Sequence, residues 1–354
     1  MGSSDCYAYR VSIILPLYNG EKWLEECLNS VLEQTFDQRI QLCVYNDAST
    51  DSSMNVLNAY SGRLAKKKIE LVLTQGDIEG GPKGCGYAKN RAVASSSGEY
   101  LCFLDADDIM EKERIHEQLI AAMETSEDTL IGSKVKREPE GSTVRYTKWI
   151  NEISQEQLYT QIYTSNGPSV VMPTWFCHRN VYDKVSGFNE GGKGVPEDYL
   201  FFLEHLKLGG KILRVDRVLL MYRHHPDATT ASVSENTIWK IRIEVIQERV
   251  LKDWKQFTIW NAGKQGRKFY RDLTDENREK VSAFCDVDTK KIDKGVYIFE
   301  NSPLKVKPRV PILHFSKAVK PFVICMKLDL TGGEFEKNLN SLNLVEGVDY
   351  FHFN

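Results

Sequence analysis

Asp105 and Asp107, one residue apart, follow the apolar run Tyr100–Leu104 and are joined by Asp108. Carboxylates at a strand end can share a hard divalent cation, Mg²⁺ or Mn²⁺, with the phosphate oxygens of a ligand, while one of them accepts from a ribose hydroxyl. A solvated acidic loop has the same composition, and which of Asp105, Asp107 and Asp108 would ligate stays open. A second acceptor, Asp47, ends the run Ile40–Tyr45 within Asn46-Asp47-Ala48-Ser49-Thr50-Asp51. It suits either a nucleobase N–H or an Asx turn capping the next helix. Glu197 and Asp198 follow Pro196 and open a helix. The helix dipole favours carboxylates there, and a carboxylate beside a bound donor can also serve as general base toward a hydroxyl. Tyr222-Arg223-His224-His225 follows another apolar run. A histidine there can reach a metal or a diphosphate and Arg223 can pair with phosphate, or the two are a surface His pair.

Strands and helices must position these groups. Val11–Leu15 reads as a strand, with a turn at Asn19-Gly20 and a helix striped by Trp23, Leu24, Cys27, Leu28, Val31 and Leu32. Ile40–Tyr45, Ile69–Leu73 and Tyr100–Leu104 read as further strands, separated by helical patterns, the last one entered from Gly80-Gly81-Pro82-Lys83-Gly84-Cys85-Gly86. Alternating strand and helix predicts a parallel sheet covered on both faces, with ligands at its carboxyl edge. Farther on, Ser154 to Gln157 predicts a capping box opening a helix. Glu197–Leu208 reads as a helix stopped by Gly209-Gly210, and Lys211–Val215 and Val218–Tyr222 read as two strands. Residues 235–254 predict a charged connecting helix. A second αβ unit starts at Phe257–Trp260, turns through Asn261 to Gly266, and has strands at Val281–Cys285 and Phe322–Met326. The expected organisation is an α/β domain over 1–230, a helical connector over 231–255 and a small Rossmann-like domain over 256–354. Asn261-x-Gly263-x-x-Gly266, with Asp286 downstream, approaches a dinucleotide fingerprint, but Asn261 replaces the first glycine and NAD binding is not expected.

The 354 residues suffice for two domains, and with 42% apolar residues they can bury real cores. Lys+Arg number 46 against 49 Asp+Glu, so the whole chain is no general polyanion binder and any nucleic-acid contact must come from local patches. Residues 255–354 hold 17 Lys/Arg and 13 Asp/Glu, a surplus of +4, which leaves −7 for the rest. No apolar stretch reaches membrane-spanning length, and Met1 to Asp5 lacks the features of a secretory leader. Eight scattered cysteines without a Cys-x-x-Cys pair suit buried thiols in a reducing compartment, so a cytoplasmic location is expected.

Taken together, Val11 to Asn19, Asn46 to Asp51, Gly86 to Asn90, Gly98 to Asp108, Gly187 to Glu190 and Glu197-Asp198 resemble the family 2 glycosyltransferases of GT-A fold over about residues 10–225. Asn46 stands where that family usually has a first aspartate, and the Gln-x-x-Arg-Trp motif of processive synthases is absent, which implies single addition. Further segments, Pro173 to Cys177, Asn189 to Gly192, Ile259 to Gly266, Phe284 to Asp288 and Lys327 to Gly333, resemble the vertebrate queuosine-tRNA galactosyltransferases over nearly the whole chain. The resemblance implies a GT-A nucleotide-sugar-binding domain, UDP-galactose as donor, and queuosine in the anticodon of tRNA-Tyr as acceptor. It implies a donor site of Pro16, Tyr18, Asn19, Asp47, Lys89, Asp105 and Trp175, a divalent metal on Asp107, Asp105 and His225, and Asp198 as base with Glu197 beside it.

A tRNA acceptor turns attention to three basic clusters: Lys134, Lys136 and Arg137; Arg267, Lys268 and Arg271, spaced to share one helix face; and Lys305, Lys307 and Arg309. Such runs are otherwise solvated faces. The competing expectations are a UDP-sugar transferase with a protein or small-molecule acceptor, an inert nucleotide-sugar scaffold, and a dehydrogenase built on the second module.

Overall fold

The computed structural model describes residues 7–226, 228 and 232–354. The N-terminal residues 1–6, read above as no leader, and the boundary expected at 230/231 lie outside the described residues. The chain divides into two compact units, one of Met1–Gln155 with Gly167–Ser234, the other of Glu156–Asn166 with Glu235–Asn354.

The first unit carries an eight-stranded sheet. Its strands are β1 (Tyr9–Leu17), β2 (Ile40–Asn46), β3 (Ile69–Gln75), β4 (Gly98–Phe103), β5 (Ile109–Met110), β6 (Thr129–Glu138), β7 (Phe176–His178) and β8 (Lys211–Arg223), in the order β3-β2-β1-β4-β7-β6-β8-β5. β3, β2, β1 and β4 run parallel, and β7 pairs antiparallel with β4 and β6. β2 is buried along its whole length, as a strand covered on both faces must be. One core runs from Val11, Ile13 and Leu15 through Leu24, Leu28 and Val31 of the first helix to Phe176 and Leu220. The two strands expected at 211–215 and 218–222 are one. Val215 faces Ser133 and Val218 faces Lys134, so Asp216-Arg217 forms a bulge and pairing then resumes.

The helix Cys85–Ala94 starts beside the sheet's carboxyl edge. A Cβ at Gly86 would sit 2.2 Å from the Asn189 carbonyl oxygen, so only glycine allows this approach. Asn90 then clamps the 187–190 segment. Its Nδ2 donates to the Phe188 carbonyl at 2.9 Å, and its Oδ1 accepts from the Phe188 N–H at 2.9 Å. The helix Glu197–Lys207 ends as predicted, with Gly209 at φ 81° and its neighbour Gly210 donating back to the His205 carbonyl.

The second unit carries β9 (Phe257–Trp260), β10 (Val281–Asp286), β11 (Val296–Ile298), β12 (Arg309–His314), β13 (Phe322–Ile324) and β14 (Tyr350–His352), in the order β11-β12-β10-β9-β13-β14. All pairs are parallel except β11 with β12. Trp260, Phe322, Ile324, Phe335 and Tyr350 share its core. The helix expected over 235–254 spans Glu235–Ile246, continues as a π-turn Gln247–Leu251, and belongs to this unit. The expected capping box yields only one helical turn, Gln157–Thr160, with Glu156 rather than Ser154 at its N-cap. That segment belongs to the second unit, where Glu346 accepts from Gln157 and Thr160.

Candidate active site

In the first unit the chain builds β1, β2 and β3 to one side, then crosses to β4 on the other side of β1. Sheets of this kind bind ligands at that switch point, outside the carboxyl ends of the strands. Tyr18 and Asn19 leave β1 there, and Asp105 leaves β4. Tyr18 is 50% exposed and Pro16 half-buried, so both border an open mouth. Asn19, at φ 47°, is tied to the loop after β2. Its N–H donates to Ser49 Oγ at 2.9 Å and its Oδ1 accepts from the Thr50 N–H at 2.8 Å. Gly20 donates to Ser53 Oγ, and Asp51 accepts from Glu21 and Ser53. The polar loop after β2 therefore clasps the loop after β1.

Asp47 is buried, and its carboxylate accepts from the Lys83 and Gly84 N–H groups at 2.7–3.0 Å. The sequence left Asp47 between base recognition and capping the following helix. The structure spends it on a third task, anchoring the glycine-rich loop.

At the end of β4, Asp105, Asp107 and Asp108 each turn a ligand atom within 4.8 Å of the others. Asp107 Oδ2 lies 2.8 Å from His225 Nε2. Asp108 Oδ1 accepts from the Arg223 N–H at 2.9 Å. Asp108 Oδ2 and Asp105 Oδ1 are buried and have no hydrogen-bond partner. Burial and mutual repulsion push the Asp108 carboxyl well up. Burial, opposed by Lys89 and reinforced by Asp107, pushes Asp105 up to about 6. Buried carboxylate oxygens without donors around them are costly unless a cation or a ligand donor completes them. Hard oxygen donors with one imidazole suit Mg²⁺ or Mn²⁺, so the residues present fit a divalent metal.

Arg223 holds this end together. Its buried guanidinium donates from Nε to the Asp107 carbonyl at 2.8 Å, pairs with Glu26 and with Glu138 at 3.2 Å, and lies 4.1 Å from the Trp23 ring centroid. The Trp23 ring also faces His225, at 5.9 Å. Arg223 is thus committed to the protein rather than open to a phosphate. Sequence reading missed Trp23 and Glu26 as parts of the site. Their only signal was an aromatic and an acid one helical turn apart, directly after the Asn19-Gly20 turn.

Asp198 opens the helix Glu197–Lys207, half-buried, with Oδ1 accepting the Tyr199 N–H at 2.7 Å. Burial and the adjacent Glu197 push its carboxyl up to about 7, with Asp105 contributing in the same direction. Burial would raise Glu197 as well, but Lys89 Nζ at 2.8 Å wins and holds it ionised. Burial alone would lower the Lys89 pKa, yet its acidic neighbours lift it. The Cys85 thiol beside it is itself pushed up by burial and stays neutral, so Glu197 and Asp105 provide that stabilisation. One fixed cation therefore sits between an ionised carboxylate and two carboxyls poised to exchange protons.

Two expected donor-site residues are placed differently. Trp175 is fully buried, with its indole N–H on the Val170 carbonyl and its ring among Phe103, Phe188, Phe201 and Phe202. It is a core aromatic. Lys89 is 1% exposed and supports Glu197 from within rather than facing a ligand.

The basic clusters are also partly spent. Lys136 pairs with Glu111 at 2.5 Å and Lys134 with Asp216 at 3.6 Å, while Arg137 lies 4.0 Å from the Tyr222 ring centroid. Arg267 and Lys268 do not share a face. The first turns to the Tyr297 ring at 5.3 Å and the second to Trp239 at 3.8 Å, because successive helical residues point about 100° apart. Arg271, Lys305 and Arg309 are exposed, and Lys307 donates to the Ser302 carbonyl.

Seven cysteines, from Cys27 to Cys325, are free and buried or half-buried. Among the described residues no helix is long and apolar enough to cross a membrane.

Residues 12–186 match the family model described as glycosyl transferase family 2. An uncharacterized glycosyltransferase of Rickettsia felis is 27% identical over 269 residues, covering 70% of this chain, and this chain spans only 40% of that protein's length. The structure of Staphylococcus aureus TarS 1-349 with UDP-GlcNAc aligns with a TM-score of 0.52 at 20% identity, over 75% of this chain and 71% of that one. The Pyrobaculum calidifontis mannosyltransferase PcManGT, solved with GDP-Man and Mn²⁺, aligns at 0.50 and 16% identity, over 69% and 65%. The mixed eight-stranded sheet is the GT-A fold of these neighbours. Through residues 12–186 this chain belongs to glycosyl transferase family 2.

Proposed function

We propose that the chain is a metal-dependent inverting hexosyltransferase of the cytoplasm that moves galactose from UDP-galactose to queuosine in the anticodon of tRNA-Tyr. The observation that carries a transferase reading is the meeting of Asp105, Asp107 and His225 with Asp198 around the buried Lys89–Glu197 pair, at the switch point of a GT-A sheet. The donor sugar and the acceptor rest on the sequence segments that resemble the queuosine-tRNA galactosyltransferases.

In this reading Pro16 and Tyr18 border the uracil, and Asn19 keeps their loop closed against the loop after β2. Asp47 already accepts from two loop N–H groups, and a carboxylate has acceptor capacity left for a uracil N–H. Asp105 takes the ribose side. Asp107, with Asp105 and His225, would hold a divalent cation, which supplies charge neutralisation to the diphosphate leaving group. Arg223 fixes the Asp107 backbone so that its carboxylate stays aimed. Asp198 accepts the proton of a cyclopentene hydroxyl as its oxygen attacks C1. The C1–O bond to UDP breaks with that electron pair leaving on UDP, and attack from the opposite face gives a β-galactoside. Burial, reinforced by Glu197 and opposed by Lys89, holds the Asp198 carboxyl at about 7, where a base is most effective.

The test incubates the protein with Mn²⁺, UDP-galactose and tRNA-Tyr, with and without queuosine, and reads a hexose mass gain in the digested nucleosides. A gain confined to queuosine establishes donor and acceptor. Hydrolysis of UDP-galactose with no gain on either tRNA keeps the transferase reading and removes this acceptor.

A further inference from the structure

An aromatic patch stands beside the acidic cluster of the first unit. Arg137 of β6 and Tyr222 of β8 are cross-strand partners, and Tyr222 is followed by Arg223, whose N–H holds Asp108. The patch therefore starts one residue from a member of the cluster. The helix Val144–Glu152 adds Tyr146 and Trp149, three positions apart and so on one face, with ring centroids 5.9 Å apart. All three rings are half-buried, packed against the core of the first unit with part of their surface open.

The charge on Arg137 has no carboxylate to answer it. Lys134 and Lys136 of the same strand each pair with one, whereas Arg137 pairs with none among the described residues. Its Nε donates to Thr143 Oγ1 at 3.0 Å and its Nη1 to the Tyr222 carbonyl at 3.3 Å, both neutral acceptors. The guanidinium lies 4.0 Å from the Tyr222 ring centroid and 5.8 Å from that of Tyr146. Aromatic faces hold a cation without neutralising it, so the guanidinium can still pair with an anion.

The two tyrosines also feel the carboxylates of the site. Burial pushes the Tyr146 phenol up to about 12, with Arg137 opposing and Asp198 adding to it. Burial raises Tyr222 too, and Asp108 and Asp105 contribute in the same direction. The patch thus lies within electrostatic reach of both the base and the acidic cluster. Its chemistry selects a ligand. Aromatic side chains stack on a flat ring whatever its edge pattern, and a guanidinium takes a phosphate. A nucleotide of an unpaired strand brings both together. A neutral sugar offers no anion, and an acidic side chain offers no flat ring.

We propose that Arg137, Tyr146 and Trp149 seat the acceptor as an unstacked nucleotide of a single strand, its phosphate on the guanidinium and its base against the two rings, with a hydroxyl of that nucleotide facing Asp198. The proposal deepens the transferase reading of this site and rests on it for the role of Asp198.

The test saturates the full chain with UDP and Mn²⁺, which fills the donor side. It then titrates a short single-stranded oligoadenylate by fluorescence anisotropy, with a glutamate-rich peptide in parallel. The oligonucleotide binds saturably and the peptide does not. Tyr146→Ala weakens the oligonucleotide at least about fivefold, the loss of one stacked base, while Tyr146→Phe keeps the ring and stays within about threefold. Arg137→Gln reduces the slope of log affinity against log salt by about 0.7, the share of one phosphate on a single strand, and Arg137→Lys keeps it. UDP affinity reports that each variant is folded, and where Tyr146→Ala fails that control the two Arg137 variants decide. No saturable binding of the oligonucleotide, equal binding of the peptide, or an unchanged slope in Arg137→Gln overturns the proposal. If these results hold while queuosine-containing tRNA gains no hexose, the nucleotide seat stands and the queuosine acceptor falls. If that tRNA gains hexose and its KM is the same in Tyr146→Ala, Arg137→Gln and the unaltered protein, the seat falls and the transferase reading stands.

Discussion

Both units carry aspartates in or just after their central strands or at a neighbouring helix start, and the two sets of aspartates live in opposite electrostatic states. In the first unit, Asp105, Asp108 and Asp198 are pushed up by burial and by one another, and two of their oxygens meet no donor. In the second unit, Asp286 accepts from the Ala262, Val287 and Asp288 N–H groups and from Lys291. Although burial would raise it, these bonds hold it below the usual carboxylate range. Position at the carboxyl edge is shared; compensation is not. An aspartate whose charge is fully answered builds a turn, whereas one left partly unanswered is available to a cation, a substrate or a proton. The same contrast separates the two loops, since the loop after β4 leaves acceptors open and the turn after β9 bonds its Ala262 and Gly263 N–H groups internally.

The largest test of this contrast is Asp198→Asn. The amide keeps the size and loses the base, so turnover should fall about 10²–10⁴-fold while UDP binding stays within a few-fold. Comparable loss of both, by steady-state rates and UDP titration, would mean that Asp198 shapes the donor site instead. Its counterpart, Asp286→Asn, should do the reverse. Transfer is unchanged, but the turn after β9 loses its charge partner for Lys291, at about 1–3 kcal/mol of stability by denaturant unfolding. An unfolding midpoint identical to that of the unaltered protein would show that Asp286 holds nothing in place.

A smaller effect follows from protonation. Asp198 sits at about 7 and acts only when ionised, so kcat/KM should fall roughly tenfold per pH unit below 7 and level off above it. That limb should vanish in Asp198→Asn. Asp286 points the other way. A carboxyl lowered on folding stabilises above its unfolded pKa and loses that contribution only as pH falls through its native value, so the second unit keeps it across pH 6–8. An acid limb shared by activity and by the unfolding midpoint would tie the rate loss to folding rather than to a base.

The sequence carries this contrast unevenly. The acidic strand ends, the parallel order of the first strands and the helix stop at Gly209 are legible because each depends on local pattern: β-branched runs, turn residues and caps. The charge state of Asp286 is not legible, since its partner Ala262, 24 residues back along the chain, is joined to it only by the fold. Trp175 misled because a buried indole and a sugar-stacking indole have the same sequence, and the difference is the ring cage of Phe188, Phe201 and Phe202. β11 and β14, of three residues each, are too short to alternate, whereas β13 is found inside the strand expected at Phe322–Met326. The attachment of Glu156–Asn166 to the second unit is set by contacts near Glu346, far along the chain.

The smallest expected effect applies the same rule to the cations. If tRNA is the acceptor, a lysine already answered by a carboxylate has less to offer a phosphate than one facing solvent. Lys136 is paired with Glu111, and Lys305 is exposed. Lys305→Ala should therefore weaken tRNA binding a few-fold at low salt, uniformly across sequences, and reduce the slope of log affinity against log salt by about 1. Lys136→Ala should leave that slope nearly unchanged and alter stability by less than about 1 kcal/mol, as partly exposed pairs do. The slope is the deciding quantity because it counts phosphates neutralised and not surface charge in general. Equal slopes for the two variants would move RNA docking away from the 305–309 cluster, whatever the acceptor chemistry at Asp198.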